Sequence, residues 1–293
     1  ISAFCNAGID ILGNNSFIDY ASSPLINFTT MFLIVMGGLG FPVWHNIRVN
    51  TQKVWRGKEP KARLWSRLGL QSKIVLTMTA ALILLGTVGF FLLEYNNPET
   101  MKEFSAGQKL MASAFQSVTT RTAGFAAVPQ SELTEGSRLL GCILMFIGGS
   151  PAGTAGGVKT TTMAMLLLTA LSVLRGRKDT ECFGRKVDDT IVRSGITITL
   201  VTFLFWLIGI VVITVLESGR DYLNIMYEAT SAIGTVGLSA DLTPSLTRGS
   251  QVVLMVLMYI GRIGPMTMAL VFAGKVRAGA QFRELPEKRI MLG

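Results

Sequence analysis

Three short stretches of this chain share a pattern of small residues followed by glycine and a bulky apolar residue. They read Ser2-Ala-Phe-Cys-Asn-Ala-Gly-Ile9, Val118-Thr-Thr-Arg-Thr-Ala-Gly-Phe125 and Ser231-Ala-Ile-Gly-Thr-Val-Gly-Leu238. Glycine reaches backbone angles that other residues avoid, so such loops can turn successive carbonyl oxygens toward one axis. A dehydrated monovalent cation needs several oxygen ligands, and carbonyls supply them without a fixed charge that would hold the ion too tightly. The pattern therefore predicts a ring of carbonyl ligands.

Long apolar runs lie between these stretches and must position them. Of the 293 residues, 49% are apolar and 15% are charged, which is too apolar for an ordinary soluble domain. A helix that crosses the hydrocarbon core of a bilayer needs about 20 apolar residues. The candidate spans are Phe28–Trp44, Ile74–Leu93, Leu139–Leu174 (interrupted), Ile191–Leu216 and Val252–Ala273. We predict an all-α protein that crosses a membrane several times.

The glycine loops recur at near-constant spacing, because Gly8, Gly124 and Gly237 are 116 and 113 residues apart. The segments Gln108–Thr119 and Asn224–Ile233 precede the second and third loops and are half a bilayer long, which favours re-entrant helices. The negative, C-terminal end of each short helix would point at the centre of a cavity. The predicted unit is a span, a re-entrant pore helix, a glycine loop and another span. The alternative is that the glycines only allow close helix packing.

Charge sorts to one side of the predicted membrane. The segments His45–Lys73, Arg175–Arg193 and Lys275–Gly293 together carry 19 basic and 7 acidic residues, whereas the loops on the opposite side carry 5 basic and 11 acidic residues. The positive-inside rule puts the basic side in the cytoplasm. Because the basic residues alternate with spans, the net charge of +9 does not indicate a nucleic-acid partner.

Glycine and proline interrupt the spans that follow the glycine loops. Ile-Gly-Gly-Ser-Pro at 147–151 matches Ile-Gly-Arg-Ile-Gly-Pro at 260–265, and Met36–Pro42 is a looser copy. Glycine and proline free backbone groups that lipid cannot satisfy, so they indicate spans that line protein or an aqueous cavity. The segment Gly148–Thr162 holds five glycines and one proline. Each glycine destabilises a helix by about 1 kcal/mol relative to alanine, so we predict a loop at membrane depth.

The combination of NAGI, TTRTAGF, GTVGLS, GGSPAGTAGGVKTTT and YIGRIGP resembles the Trk/Ktr/HKT superfamily of potassium transporters, most of all the bacterial Ktr/Trk ion-translocating subunit. The resemblance covers essentially the whole chain. It implies an all-α transmembrane fold of repeated span–re-entrant pore loop–span units around a pseudo-fourfold pore. Three loops are present here, so the resemblance implies that the N-terminal repeat is missing from this sequence.

The resemblance also implies which residues hold the ion. The implied filter residues are Asn6, Ala7, Gly8, Thr122, Ala123, Gly124, Thr235, Val236 and Gly237. Cys5 and Thr120 are further candidates. Arg121 is a cation beside a cation filter, so we expect its side chain to point behind the filter, toward a glutamate or a backbone oxygen.

The glycine-rich segment is implied to be an intramembrane gating loop. The implied gating residues are Gly148, Gly149, Gly153, Gly156, Gly157, Lys159 and Arg262. A charge near the bilayer centre is energetically costly and usually functional. We expect Arg262 and Lys159 to pair with carbonyls of this loop or to repel cations, and so to keep the pore shut. The alternative for Arg262 is that it only joins two helices.

The predicted organisation has three parts. Residues 1–73 form the pore loop and inner span of repeat 2 with a cytoplasmic loop, 74–189 form repeat 3 with its broken inner span, and 190–293 form repeat 4 with a cytoplasmic tail. The predicted cargo is potassium, with sodium as the alternative, and no organic cofactor is expected. The resemblance implies cytoplasmic nucleotide-binding regulatory subunits, a homodimer and a location in the inner (plasma) membrane, where the lipid membrane is itself a partner.

Three other functions fit the sequence less well. A secondary transporter with discontinuous helices would predict inverted repeats, whereas the charge pattern indicates repeats of one orientation. A nucleotide phosphate loop would need glycine at the position of Val158, and no strand precedes it. An enzyme would need a metal motif, a catalytic triad or a carboxylate pair, and none is recognisable.

Overall fold

The computed structural model describes residues 1–12, 16–56, 60, 64–177 and 179–264. Within these residues it contains helices and one short β-hairpin, joined by loops and two 3-10 turns at 18–20 and 243–245. The elements are α1 Ser2–Cys5, α2 Pro24–Gly38, α3 Phe41–Trp55, α4 Leu64–Arg67, α5 Leu70–Glu94, α6 Ala106–Thr119, α7 Glu135–Phe146, α8 Thr160–Leu174, β1 Glu181–Cys182, β2 Arg185–Lys186, α9 Asp189–Leu216, α10 Tyr222–Gly234 and α11 Arg248–Ile263.

Among the described residues, α5 and α9 are long and apolar enough to cross a membrane as single helices. They contain the predicted spans Ile74–Leu93 and Ile191–Leu216. The predicted span Phe28–Trp44 is not one straight helix, because the chain bends by 97° between α2 and α3. Gly40 lies at the bend and has a φ of 83°. The first turn of α3 contains a proline, which is tolerated at the start of a helix but not in its interior.

The span predicted for Leu139–Leu174 is interrupted as expected. Helices α7 and α8 are separated by residues 147–159, which we call the break loop. The loop is shorter than the predicted Gly148–Thr162, since α8 already begins at Thr160 once the glycines end. The last predicted span is described only to the end of α11. Its remainder and the tail from Lys275 lie outside the described residues.

Two short helices, α6 and α10, occupy the segments predicted to be half a bilayer long. Ser105 and Gln108 cap the start of α6 reciprocally, which satisfies backbone donors that have no partner within the helix. The Asp221 side chain accepts a hydrogen bond from the backbone of α10. Every residue of α10 from 225 to 234 is buried, and the helix packs against α7, α9 and α11. Helix α10 is therefore the centre of the largest apolar core cluster.

Helices α5–α8 (70–174, the middle unit) and α9–α11 (189–263, the last unit) follow the same order of long helix, short helix, glycine loop and third helix. A buried carboxylate at the end of each long helix joins it to the start of the third helix. Glu94 accepts from the backbone N–H and hydroxyl of Thr134 at 2.9 and 2.7 Å. Glu217 accepts from the same two groups of Thr247, at 2.7 Å each. We call each arrangement a carboxylate clamp.

Candidate functional site

The three glycine loops (6–8, 122–124 and 235–237) meet at one place in the structure, although they are more than a hundred residues apart. A Cβ atom added to Gly8 would lie 2.7 Å from the Ala123 carbonyl oxygen, and one added to Gly124 would overlap the Val236 carbonyl oxygen. The glycine of the first loop and the glycine of the second loop thus each lie against a carbonyl of the following loop, and that carbonyl belongs to the residue just before the glycine. The same relation holds twice in succession, as expected for loops arranged around a common axis.

The backbone of each glycine loop alternates in handedness. Asn6, Thr122 and Thr235 have φ values of 50°, 66° and 52°. The glycines two residues later also have positive φ, of 63°, 83° and 94°, whereas the residue between has a negative φ. Alternating left-handed and right-handed residues turns successive carbonyls toward the same side. A β-branched residue with positive φ is an outlier, and strain of about 1–3 kcal/mol at a residue points to function.

Two threonine hydroxyls in the glycine loops are buried without a hydrogen-bond partner among the described residues. They belong to Thr122 and Thr235. Because buried polar atoms are nearly always paired, an unpaired one needs an explanation. Hydroxyl oxygens beside converging carbonyls are suitable ligands for a monovalent cation. The donor set of carbonyls and hydroxyls, without a carboxylate, fits an ion that must be released again.

Two open cavities flank the glycine loops. One, of about 590 Å³, is lined by the three glycines together with Asp10 and Asp241. The other, of about 530 Å³, separates Asn6 from Gly237 and reaches Arg262. The second loop therefore contacts both the first and the third, whereas the first and third loops line a common cavity.

The break loop also lies against the glycine loops. A Cβ added to Gly156 would overlap the Thr235 hydroxyl. The end of α2 holds the break loop through two hydrogen bonds, from Ser150 N to Gly38 O at 3.0 Å and from Thr154 N to Gly37 O at 3.3 Å. Carbonyls in the last turn of a helix have no hydrogen-bond partner within that helix. The break loop therefore supplies donors to the C-terminal end of α2, next to the bend.

Both predicted basic gating residues contact the break loop. The guanidinium of Arg262 donates to Thr154 O at 2.7 Å, and the Lys159 amine donates to Ala155 O at 2.7 Å. The predicted pairing of these side chains with loop carbonyls is therefore present, whereas their role in closing a pore stays a prediction. Gly148 and Gly149 lie where the break loop folds back on itself, and a Cβ on Gly148 would overlap Gly156 O.

Arg121 points away from the ring, as the sequence predicts. Its guanidinium donates to Thr79 O of α5 at 3.2 Å, and only 7% of the residue is exposed. The positive charge is thus held against the backbone of α5.

Sequence reasoning missed the buried polar groups that support the loops. Glu228, 5% exposed, accepts from Ser239 Oγ at 2.6 Å and Thr243 Oγ1 at 2.7 Å, which fixes the chain after the third loop. Gln130 Oε1 accepts from Gln116 at 2.7 Å and from the Tyr227 hydroxyl at 2.8 Å, and so joins α6 to α10. The sequence signal that could have identified such a group is a polar residue inside an otherwise apolar short helix, such as Glu228 in α10.

Comparison with known proteins identifies the family of this chain. The family model described as "Cation transport protein", TrkH, matches residues 1–283. The chain belongs to the TrkH family of cation transport proteins. The resemblance predicted from the sequence is confirmed, and so is the expectation of a membrane protein that is not an enzyme, because the TrkH family consists of transport proteins.

Relatives of this TrkH family member include two bacterial uptake proteins. The chain is 34% identical over 293 residues to the Ktr system potassium uptake protein B of Bacillus subtilis (strain 168). It is 36% identical over 298 residues to the potassium/sodium uptake protein NtpJ of Enterococcus hirae. Both matches cover 100% of this chain and 62% of the relative, so the chain spans less than two thirds of their length.

A solved structure shares the fold. The crystal structure of the potassium transporter TrkH from Vibrio parahaemolyticus matches with a TM-score of 0.70 and 18% identity, over 92% of this chain and 56% of that chain. The fold class, mostly helical with the architecture of the TrkH family, therefore agrees with the sequence prediction. The division into three parts and the pseudo-fourfold pore stay predictions.

Proposed function

We propose that this protein takes up potassium across the plasma membrane through a filter of backbone carbonyls, and that the break loop gates the pore. The observation that carries the proposal is the convergence of three glycine loops with the same alternating backbone. The relatives named for potassium or for potassium and sodium uptake support the choice of ion. The filter residues are Asn6–Gly8, Thr122–Gly124 and Thr235–Gly237.

The filter replaces part of the water shell of the ion. Carbonyls before each glycine and the two unpaired threonine hydroxyls supply neutral oxygens around one axis. The C-terminal ends of α6 and α10 add the negative ends of their helix dipoles. Asp10 and Asp241, which line the cavity of about 590 Å³, raise the local concentration of cations by electrostatic attraction. The inward-negative membrane potential then drives uptake, by about 2.3 kcal/mol per charge per 100 mV.

The cavity of about 530 Å³, which both Asn6 and Gly237 line, is the place that a pseudo-fourfold arrangement assigns to another loop. A fourth loop there would face Gly237 as Val236 faces Gly124, and it would complete the ligand set.

The break loop closes the inner side of this filter. It is held shut by α2 on one side and by Arg262 on the other. Lys159 and Arg262 both place positive charge beside the path, which repels cations while the loop is in place. The glycines of the loop let it leave this position, because their backbone is free to adopt other angles.

Partners are expected on the basic, cytoplasmic side. In the described part of the chain this side includes α3 and the hairpin β1–β2, with Arg185 and Lys186 on its second strand. We expect nucleotide-binding regulatory subunits to dock there and the transporter to assemble as a homodimer. Anionic lipid headgroups are the competing ligands for the same basic residues.

Rubidium uptake into liposomes tests the proposal. The protein is expressed from its complete reading frame, reconstituted and assayed with and without excess sodium. Uptake that sodium does not compete for identifies a potassium filter, whereas equal competition identifies a sodium-permeable member of the family. Absence of any cation uptake would overturn the proposed function.

The gate is tested separately with Arg262→Gln. Loss of a hydrogen bond from a charged donor, worth about 1.5–3 kcal/mol, should raise resting uptake about tenfold or more. Arg248→Gln, at the other end of α11, is the matched control and should leave uptake unchanged. Unchanged uptake in both Arg262→Gln and a variant with a shortened break loop would remove the gate from the proposal.

A further inference from the structure

Asn6 is the one residue of the described glycine loops whose side chain bonds to the break loop. Its amide oxygen lies 3.0 Å from the Thr154 hydroxyl, which donates to it. Its amide nitrogen donates to the Arg121 carbonyl oxygen at 3.3 Å. Asn6 is 5% exposed and carries a left-handed φ of 50°. A single side chain therefore joins the first glycine loop, the second glycine loop and the break loop.

Thr154 is the matching residue of the break loop. Its hydroxyl also lies 3.2 Å from the Phe4 carbonyl oxygen, and since a hydroxyl has one proton it serves the two acceptors in turn. Its carbonyl accepts from Arg262 at 2.7 Å. The carbonyl that accepts from Arg262 and the hydroxyl that donates to Asn6 thus both belong to Thr154.

We propose that Thr154 is a positioning residue for the filter, so that the closed break loop and the geometry of the ion ligands are coupled through the Thr154–Asn6 hydrogen bond. This inference rests on the proposed function of the break loop as the gate. When the break loop leaves, Asn6 loses its donor and its side chain is free to move. The carbonyls of Asn6 and Arg121, on either side of the Asn6 amide, then shift.

The coupling must act in both directions. If displacement of the break loop changes the affinity of the filter for an ion, then occupancy of the filter changes the stability of the closed loop by the same factor. Potassium in the filter, which needs all carbonyls in place, would favour the arrangement that Thr154 maintains. A smaller ion that binds the relaxed arrangement equally well would not favour the arrangement that Thr154 maintains.

The test compares hydroxyl-removing and hydroxyl-keeping variants by the ratio of rubidium to sodium uptake. Thr154→Val keeps the shape of the side chain and removes its donor, so the ratio should fall at least threefold. Thr154→Ser keeps the donor and should retain the wild-type ratio. Thr87→Val is the matched control, because the Thr87 hydroxyl bonds only to Ile83 O within α5 in the described structure, and its ratio should not change.

A double-mutant cycle isolates the pair. Asn6→Ala should lower the ratio as well, and Thr154→Val should add nothing in that background, since both remove the same interaction. Thr154→Ala replaces Thr154→Val if the latter does not fold, as judged by size-exclusion chromatography.

The outcomes separate this inference from the proposed function. Raised uptake with a wild-type ion ratio in Thr154→Val would overturn the coupling and leave the gate standing. A Thr154→Ser variant that behaves like Thr154→Val would also overturn it. Absence of cation uptake by the wild-type protein would overturn both proposals together.

Discussion

The middle and last units use the same frame for two different third helices. In both, a carboxylate clamp joins the long helix to the third helix, and the glycine loop begins with a left-handed threonine. In the last unit the third helix, α11, runs unbroken from Arg248 to Ile263. In the middle unit it is divided into α7 and α8 by the break loop. A loop can therefore interrupt the third helix of one unit without changing how that helix is joined to the long helix.

The difference is sharpest at one glycine in each unit. A Cβ on Gly261 would overlap Ile233 O at the end of its own short helix, and a Cβ on Gly37 would overlap Phe4 O in the same way. In the middle unit the corresponding Gly148 meets Gly156 of the break loop instead. The position requires glycine in all three cases, but the neighbour that requires it is a rigid helix end in two cases and a loop in the third.

Alanine at these two glycines should give the largest difference between the units. Overpacking costs about 1–3 kcal/mol, so Gly261→Ala should lower Tm by roughly 3–10 °C and reduce the yield of folded protein. Gly148→Ala should displace the break loop, with a nearly wild-type Tm and resting rubidium uptake raised several-fold. Fluorescence-monitored thermal unfolding and liposome uptake measure the two effects.

Gly107→Ala serves as the control for both, because nothing lies within 4 Å of the added Cβ. Equal losses of Tm in Gly148→Ala and Gly261→Ala would break the comparison, since the break loop would then be as rigid as the helix end.

The two carboxylate clamps should differ next. Glu94 uses both oxygens, because Asn97 and Thr100 donate to its Oε2 at 2.7 and 2.6 Å. In Glu94→Gln an amide nitrogen would face these donors, which should destabilise the protein by about 2 kcal/mol. Glu217→Gln should have a smaller effect, since the described contacts of Glu217 all use Oε1. Thermal unfolding of the two variants ranks them, and a larger loss in Glu217→Gln would contradict the geometry.

Acid should produce the smallest effect. Hydrogen bonds from Ser250 and Thr247 hold the pKa of Glu217 below its ordinary value of 4.5. The folded state therefore binds this proton more weakly than the unfolded state, so stability falls as pH drops from 4.5 through the folded pKa. Glu217→Gln should lose less Tm than the wild type over that range. Parallel Tm curves for the two proteins would show that Glu217 does not contribute.

Local composition predicted much of this molecule. The glycine loops, the short helices and the interruption after α7 follow from residues that are neighbours in the sequence. Helix α6, at Ala106–Thr119, begins two residues before the predicted Gln108. Glycine content, helix length and hydropathy act over a few turns, so a sequence displays them directly.

The misses have two physical causes. The bend at Gly40 lies inside an apolar run in which the glycines and proline of Met36–Pro42 indicate an interruption, but hydropathy alone does not distinguish a straight span from a bent one. Contacts such as Thr154 with Asn6, 148 residues apart, depend on how helices meet in space. The Glu94 clamp was missed for the same reason, although an acidic residue at a helix end followed later by Thr-x-x-Ser occurs in both units.

The proposed gate is a single peptide segment. Among the described residues, only the middle unit has a third helix divided by a loop, so under the proposed function conduction would start when one segment moves and would not require several equivalent segments to move together. Opening should then follow single-exponential kinetics without a sigmoidal lag, and one defective subunit in an assembly would silence its own pathway and leave its neighbour conducting.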